Sequence, residues 1–234
     1  MWHTKWCILH GMHTYTPPTL TVDTVVFRLV DNQLEVLLIR RGREPFAGMW
    51  ALPGGYCAAG ETTEQAMSRV LAGKAGIITS RLEHVEQLYT FDTVARDPRG
   101  HAVSVTYMGL GRQIEPESSA ATQEPAFFSV QDLPELAYDH EAIIRYAIDR
   151  LRSKLTYTNV IWALLPTMFT LTELQTAYEA ILGRPLDKRN FRKKFHALDL
   201  LAATENMRKQ GASRPARLYT FAHQKLESLD KSFD

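Results

Sequence analysis

The sequence predicts an α+β chain of two domains, a strand-rich first part carrying helices and then a helix-turn-helix closed by a β-hairpin. Three observations predict it. Long runs of β-branched residues crowd the first 130 positions, while the later part shows mainly helical spacing. A helix-start signal and a Gly-Pro stop punctuate the later part. The charge is also unevenly divided: from Gly183 to Arg217 ten basic residues face three acidic ones, +7, which leaves −6 for the rest of a chain of net charge +1.

Taken in order, Leu20 to Val30 (LTVDTVVFRLV) reads as a strand, Asp31-Asn32 as a turn and Leu34 to Arg41 as its partner strand. A loop punctuated by Pro and Gly, PFAGMWALPGGYCAAGE, leads to a helical pattern from about Thr62 to Lys74. Strand-like runs follow at Leu82 to Phe91 and His101 to Gly111, around the turn Asp97-Pro98-Arg99-Gly100. Gln113 to Glu124 is a polar loop, Ala126 to Val130 a short strand, and Tyr138 to Lys154 a helix. Thr156 to Leu165 is a mixed apolar segment that joins the domains or starts the second. Thr170 and Glu173 then have the spacing of a capping box, and the helix they open should stop near Gly183. A second helix runs from about Asp187 to Ala197, and two short strand-like runs lie between Thr204 and Phe221. The implied boundaries are an extension at 1–19, a first domain at 20–154, a second at 155–226 and a tail at 227–234.

Hydrophobic residues are 45% and charged residues 23% of 234, enough for two packed domains of ordinary size. No apolar run reaches the roughly eighteen residues of a membrane span, and Met1 to Gly11 lacks the apolar stretch of a secretory signal. Met12 offers an alternative start, and that leading segment is given no function. Two cysteines, Cys7 and Cys57, make neither a disulfide framework nor a multi-cysteine zinc site, so a reducing cytoplasm is the expected location.

The loop and first helix carry a recognisable frame. Gly55 is followed after five residues by Glu61, after seven more by Arg69, and the frame closes with Gly76-Ile77, behind the approach Trp50-Ala51-Leu52-Pro53-Gly54-Gly55. This resembles the Nudix signature and, together with Asp139-His140, covers about Thr21 to Ser153. The resemblance implies a mixed-sheet α/β/α sandwich. In Nudix hydrolases helical glutamates hold Mg²⁺, a hard cation that wants anionic oxygens, and the metal polarises the diphosphate. The three positions that should be Glu are Val70, Gly73 and Lys74. No catalytic and no metal residue is therefore assigned. Glu61 reads as a carboxylate near a helix N-terminus. The pocket is expected to survive the chemistry, with Arg40, Arg41, Phe46, Trp50, Arg96, Asp97 and Arg99 as ligand-binding candidates, because guanidinium forks suit phosphate oxygens and aromatic faces suit bases.

In the second half, Phe191 and Phe195 fall on one helix face while Arg189, Lys193 and His196 fall opposite and Arg192 on the flank. Lys188, Arg189 and Asn190, at the N-terminal end, are placed to read base edges as in a helix-turn-helix. Arg208, Lys209, Arg214 and Arg217 on the hairpin are expected to meet phosphates as a wing. This part resembles a winged helix. The degraded box with the run GRPLDKRNFRKK resembles the Nudix-related transcriptional regulators of the NrtR family. That resemblance implies a homodimeric repressor of NAD-metabolism genes on a palindromic double-stranded operator, released by ADP-ribose or a related nucleotide, with no required cofactor. Two alternatives stay open: an active hydrolase of nucleoside diphosphate sugars using Glu61, Glu64 or Glu86, and a sugar-responsive regulator of the same architecture.

Overall fold

The structure is a computed structural model that describes residues 16–117, 124–209 and 215–229. The extension before residue 16, part of the polar loop and the wing-tip candidate Arg214 lie outside the described residues.

β1 (Thr19–Val30) and β2 (Gln33–Arg40) form a hairpin. Its turn places both Asp31 and Asn32 at positive φ, 47° and 63°, which short Asx side chains tolerate. The Pro/Gly loop holds two short strands that the sequence pattern did not show, β3 (Trp50–Ala51) and β4 (Gly54–Tyr56). Runs of two and three residues are too short to display an alternation, and pairing with β2 and β1 creates them. α1 (Thr63–Ala75) starts with a full capping box between Thr62 and Gln65 and ends on Gly76 in the left-handed region. β5 (His84–Phe91), β6 (Ala102–Leu110) and β7 (Pro125–Ser129) complete the first domain's sheet. Among the described residues seven strands join in the path β3-β2-β1-β6-β5, with β4 added to β1 and β7 to β2. β1 runs parallel to β6 and antiparallel to β2, so the sheet is mixed.

α2 (His140–Tyr157) extends three residues beyond the expected Lys154, with Leu155 buried. The segment expected to join the domains or start the second contains a buried 3₁₀ turn, Val160–Ala163, within the core. α3 (Leu171–Leu182) has the capping box of Thr170 and Glu173 and stops at Gly183. α4 (Lys188–Leu198) is capped by Asp187, whose carboxylate accepts the Asn190 N–H at 2.8 Å. β8 (Leu201–Arg208) and β9 (Ala216–Phe221) form the hairpin. Phe191 and Phe195 are buried against Tyr178, each ring centroid 5.4 Å from it.

One apolar cluster runs without a break from Val25 and Leu38, through Ile144 and Leu151 on α2, to Tyr178, Phe195 and Phe221. α3 packs against both β2 and α2. The segment after β9 adds a clasp: Asn159 donates to the Lys225 carbonyl at 3.0 Å and accepts the Glu227 N–H at 2.8 Å. Residues 227–229, expected to be tail, thus lie against the end of α2, where Leu229 N–H bonds the Tyr157 carbonyl at 2.8 Å.

Removing a buried phenyl ring loses its transfer energy and leaves a cavity, so Phe195→Ala should destabilise the chain by about 3–5 kcal/mol in urea unfolding. A loss below about 1 kcal/mol would show that Phe195 is not a core anchor.

Candidate functional site

A cleft of about 500 Å³ opens between β1, the β2–β3 loop, β4, α1, the loop after β5 and the start of α2. Its floor is a buried charge network. Arg96 donates to Asp139 at 2.8 and 3.0 Å and to Asp23 at 3.1 Å. Asp23 also accepts the Ser104 hydroxyl at 2.6 Å. Burial is the largest single influence on the Arg96 guanidinium and lowers its pKa, but the bonds and charges of Asp139 and Asp23 together outweigh it and raise the pKa. Asp139 precedes α2 but makes no capping bond with its side chain, because Arg96 takes it.

His140 completes the floor. Its Nδ1 accepts the Leu52 N–H at 2.9 Å, and Nε2 lies 3.6 Å from Asp23. Full burial pushes its pKa down, with Asp23 opposing the shift. Gly54 is required at its place: a Cβ there would come within 1.9 Å of the Asp23 carboxylate.

The box residues show what became of the metal face. Val70 is buried with Val22, Met67 and Tyr107, so the first glutamate position is now a core position. Gly73 is exposed, and Lys74 turns its ammonium into the cleft to donate to the Gly54 carbonyl at 2.5 Å. Glu61 is clamped by Arg69 through two bonds of 2.7 Å and accepts the Ala58 N–H at 2.9 Å. The Arg69 bonds come first in holding its pKa down at about 2. Glu86, another candidate of the hydrolase reading, bonds Lys154 at 2.7 Å and His84 at 3.0 Å and is not among the cleft residues. Among the described residues no group of three or more His, Cys, Asp or Glu side chains is arranged for a metal ion.

Of the candidate ligand residues, Arg41, Arg96, Asp97 and Arg99 line the cleft. Arg41 stacks on Tyr138 with its guanidinium carbon 4.8 Å from the ring and donates to the Pro45 carbonyl at 2.9 Å. Arg99 pairs with Asp97 at 2.6 Å and reaches the Tyr138 hydroxyl at 3.3 Å. Arg40, Phe46 and Trp50 are outside the lining: Arg40 bonds the Gly48 carbonyl at 3.3 Å, Phe46 packs on Tyr138 and Trp50 on Phe128. Arg41, Arg96, Asp97 and Arg99 all lie in the loops that follow β2 and β5, where strand periodicity carries no information. Sequence reasoning did not single out Tyr56, Arg69, Lys74 or Tyr138 as lining. Their place in or beside the box, and beside Asp139-His140, was the available signal.

On the second domain Lys188, Arg189, Asn190, Lys193 and His196 are exposed on α4, as is Lys209 after β8 and Arg217 on β9. Arg192 is half-buried, and its Nε is buried without a hydrogen-bond partner among the described residues. Arg208 is turned inward to Glu173 at 2.6 Å and the Met168 carbonyl at 3.2 Å, so it ties the hairpin to the start of α3.

Family models match both parts, the NUDIX domain at residues 19–151 and the NrtR DNA-binding winged helix domain at 161–221. An ADPR responsive transcriptional repressor, NtrR, from Acinetobacter baylyi is 36% identical over 94% of this chain and 87% of its own length. The chain belongs to the NrtR family. The crystal structure of Shewanella oneidensis NrtR complexed with a 27mer DNA matches with TM-score 0.76 at 34% identity, over 92% of this chain and 99% of that one. The Nudix part alone is similar to the NUDIX domain of the same Shewanella protein complexed with ADP ribose, with TM-score 0.54 and 34% identity, over 61% of this chain and 94% of that one. It is also 37% identical to an ADP-ribose pyrophosphatase from Methanocaldococcus jannaschii, over 56% of this chain and 73% of that protein. No helix among the described residues of this NrtR-family chain is long and apolar enough to cross a membrane.

The His140 environment has a pH consequence. Its folded pKa lies below the ordinary 6.5, so below that pH the unfolded chain binds the proton more readily. Stability from this group is present above pH 6.5 and is lost as pH falls towards the folded value. Urea unfolding between pH 7.5 and 5 should show that decline, and His140→Gln should flatten it; an unchanged slope in the variant would assign the decline to other groups.

Proposed function

We propose that this chain is a homodimeric transcriptional repressor of NAD-metabolism genes that binds a palindromic double-stranded operator through its winged helix and releases it when ADP-ribose occupies the Nudix cleft. The observation that carries the reading is one molecule joining a cationic cleft of about 500 Å³, without glutamates at the three signature positions, to a basic helix through a shared core. Two relatives described above, one named for its response to ADPR and one crystallised on DNA, support it. It acts in the cytoplasm, where the operator is, and needs no cofactor.

In the cleft, Arg41 supplies a guanidinium for phosphate oxygens, with Arg99 held beside it by Asp97, and the faces of Tyr56 and Tyr138 supply surfaces for adenine. Arg96, held between two carboxylates, positions the floor rather than the ligand. On DNA, Lys188, Arg189 and Asn190 at the N-terminal end of α4 reach base edges, with Lys193 and His196 beside them. Lys209 and Arg217 meet phosphates.

Two elements connect the sites. β2 leads to Arg41 and packs on α3, and α2 begins with His140 in the cleft and packs on α3 at its far end. Eighteen residues of helix span about 27 Å. Arg152 near the end of α2 donates to the Ile181 carbonyl at 2.9 Å, in the last turn of α3. A ligand that favours one setting of these elements shifts α3 and α4, and with them the spacing of two recognition helices across the dimer. That linkage requires the ligand to bind the DNA-incompetent arrangement more tightly.

The competing hydrolase reading draws on the pyrophosphatase relative. Its three candidate carboxylates are dispersed: Glu61 is clamped by Arg69, Glu86 by Lys154 and His84, and Glu64 is exposed. We infer that hydrolysis is lost. Mg²⁺-dependent release of AMP from ADP-ribose by wild type, abolished in Glu61→Gln, would reverse this.

Fluorescence anisotropy on the gene's own upstream DNA at fixed salt tests the main reading. Wild type should bind tightly and be released by ADP-ribose; release by pentoses instead would replace the effector, and no preference over unrelated DNA would remove the repressor. Arg189→Ala should cost about 1–3 kcal/mol on the operator and relax sequence discrimination, while Arg217→Ala should weaken all DNA about equally and reduce the salt slope by about one.

A further inference from the structure

The charges lining the cleft are not equivalent. Arg96 is neutralised by Asp23 and Asp139, Arg69 by Glu61 and Arg99 by Asp97. Arg41 and Lys74 differ: their hydrogen bonds go to backbone carbonyls, of Pro45 and Arg43 for Arg41 and of Gly54 for Lys74. An ammonium has three donors, and among the described residues Gly54 uses one. Burial comes first in lowering the Lys74 pKa, the Arg41 charge lowers it further and Asp23 opposes both, so the two cations act on one another across the cleft. Like charges held together, with no carboxylate bonded to either among the described residues, favour an anion placed between them.

Lys74 also stands at a signature position where a metal-binding glutamate is expected. The residues present do not fit a divalent cation. Val70 is packed in the core, Gly73 offers no oxygen from a side chain, Glu61 is committed to Arg69, and the Lys74 ammonium repels a cation.

We propose that the Lys74 ammonium takes the electrostatic place of the divalent metal, so that with Arg41 it holds the diphosphate of the ligand directly and the cleft binds nucleoside diphosphates without metal. This rests on the reading of the cleft as a diphosphate site. The positive charge is built into the chain, on a side chain anchored by a backbone carbonyl, and therefore clamps the diphosphate without polarising it between carboxylate-bound ions. Binding is retained while the arrangement for hydrolysis is absent. The response to the nucleotide then becomes independent of free Mg²⁺.

Calorimetric titration of the full chain with inorganic pyrophosphate and, separately, with ADP-ribose tests this, each in EDTA and in excess MgCl₂ at one ionic strength. Wild type should bind both in EDTA, no more weakly than in MgCl₂. Lys74→Met, which keeps the aliphatic stem, should bind about ten- to a hundredfold more weakly in EDTA, the loss expected for a charged hydrogen bond. Its thermal midpoint and DNA affinity report whether it is folded, and the EDTA comparison on wild type stands without any variant. Binding that Mg²⁺ tightens tenfold or more, or Lys74→Met binding as wild type does, overturns the proposal. Pyrophosphate following the expected pattern while ADP-ribose gives no heat upholds Lys74 and removes the ADP-ribose reading. ADP-ribose binding unchanged in Lys74→Met does the reverse.

Discussion

Arg96, buried between Asp23 and Asp139, is the contact on which the rest of the first domain is arranged. Its three members come from the central strand β1, the loop after β5 and the residue that opens α2. A buried cation with two carboxylates tolerates little displacement, because separating any pair leaves an uncompensated charge in a poorly solvated place. The network therefore fixes the base of α2 against the sheet. Gly54 lies directly over Asp23, and His140 accepts the Leu52 N–H, so the short strands β3 and β4 are set by the same group.

From this fixed floor the cleft and the DNA-binding half follow by direct packing. The apolar cluster that starts beneath β1 and β2 continues through α2 into the aromatic centre of Tyr178, Phe191 and Phe195. Close-packed interiors transmit displacement rather than absorb it. The two halves of the chain are thus mechanically joined, with Asn159 clasping Lys225 and Glu227 against the joint. Such a body suits a regulator better than a flexible tether would, since occupation of one site must be felt at the other.

The altered signature keeps the scaffold of the loop-helix frame while three of its positions carry other residues. Gly55 still approaches the helix closely; a Cβ there would meet Val70 at 3.0 Å. Val70 fills space with apolar contact where a carboxylate would demand a cation. Arg69 still braces the loop through Glu61. The elements that build the loop-helix frame remain, and the residues that would pull a metal into it are gone.

Much of this was legible in the sequence. Apolar patterning and cap signals located the long strands and helices α1 to α4; Asp31-Asn32, Thr170 with Glu173, and Gly183 marked their limits, because turn and cap chemistry is local. The signature frame and the basic run identified both domains, and Phe191 and Phe195 were placed inward by helical geometry alone. The tertiary structure decided what depends on residues distant in the chain. It created β3 and β4, turned Arg208 to Glu173, took Phe46 and Trp50 out of the cleft lining, and brought Arg41, Lys74 and Tyr138 together there. It also decided which cations have carboxylate partners, since charge pairing is a matter of distance and burial across the fold, which local sequence does not encode.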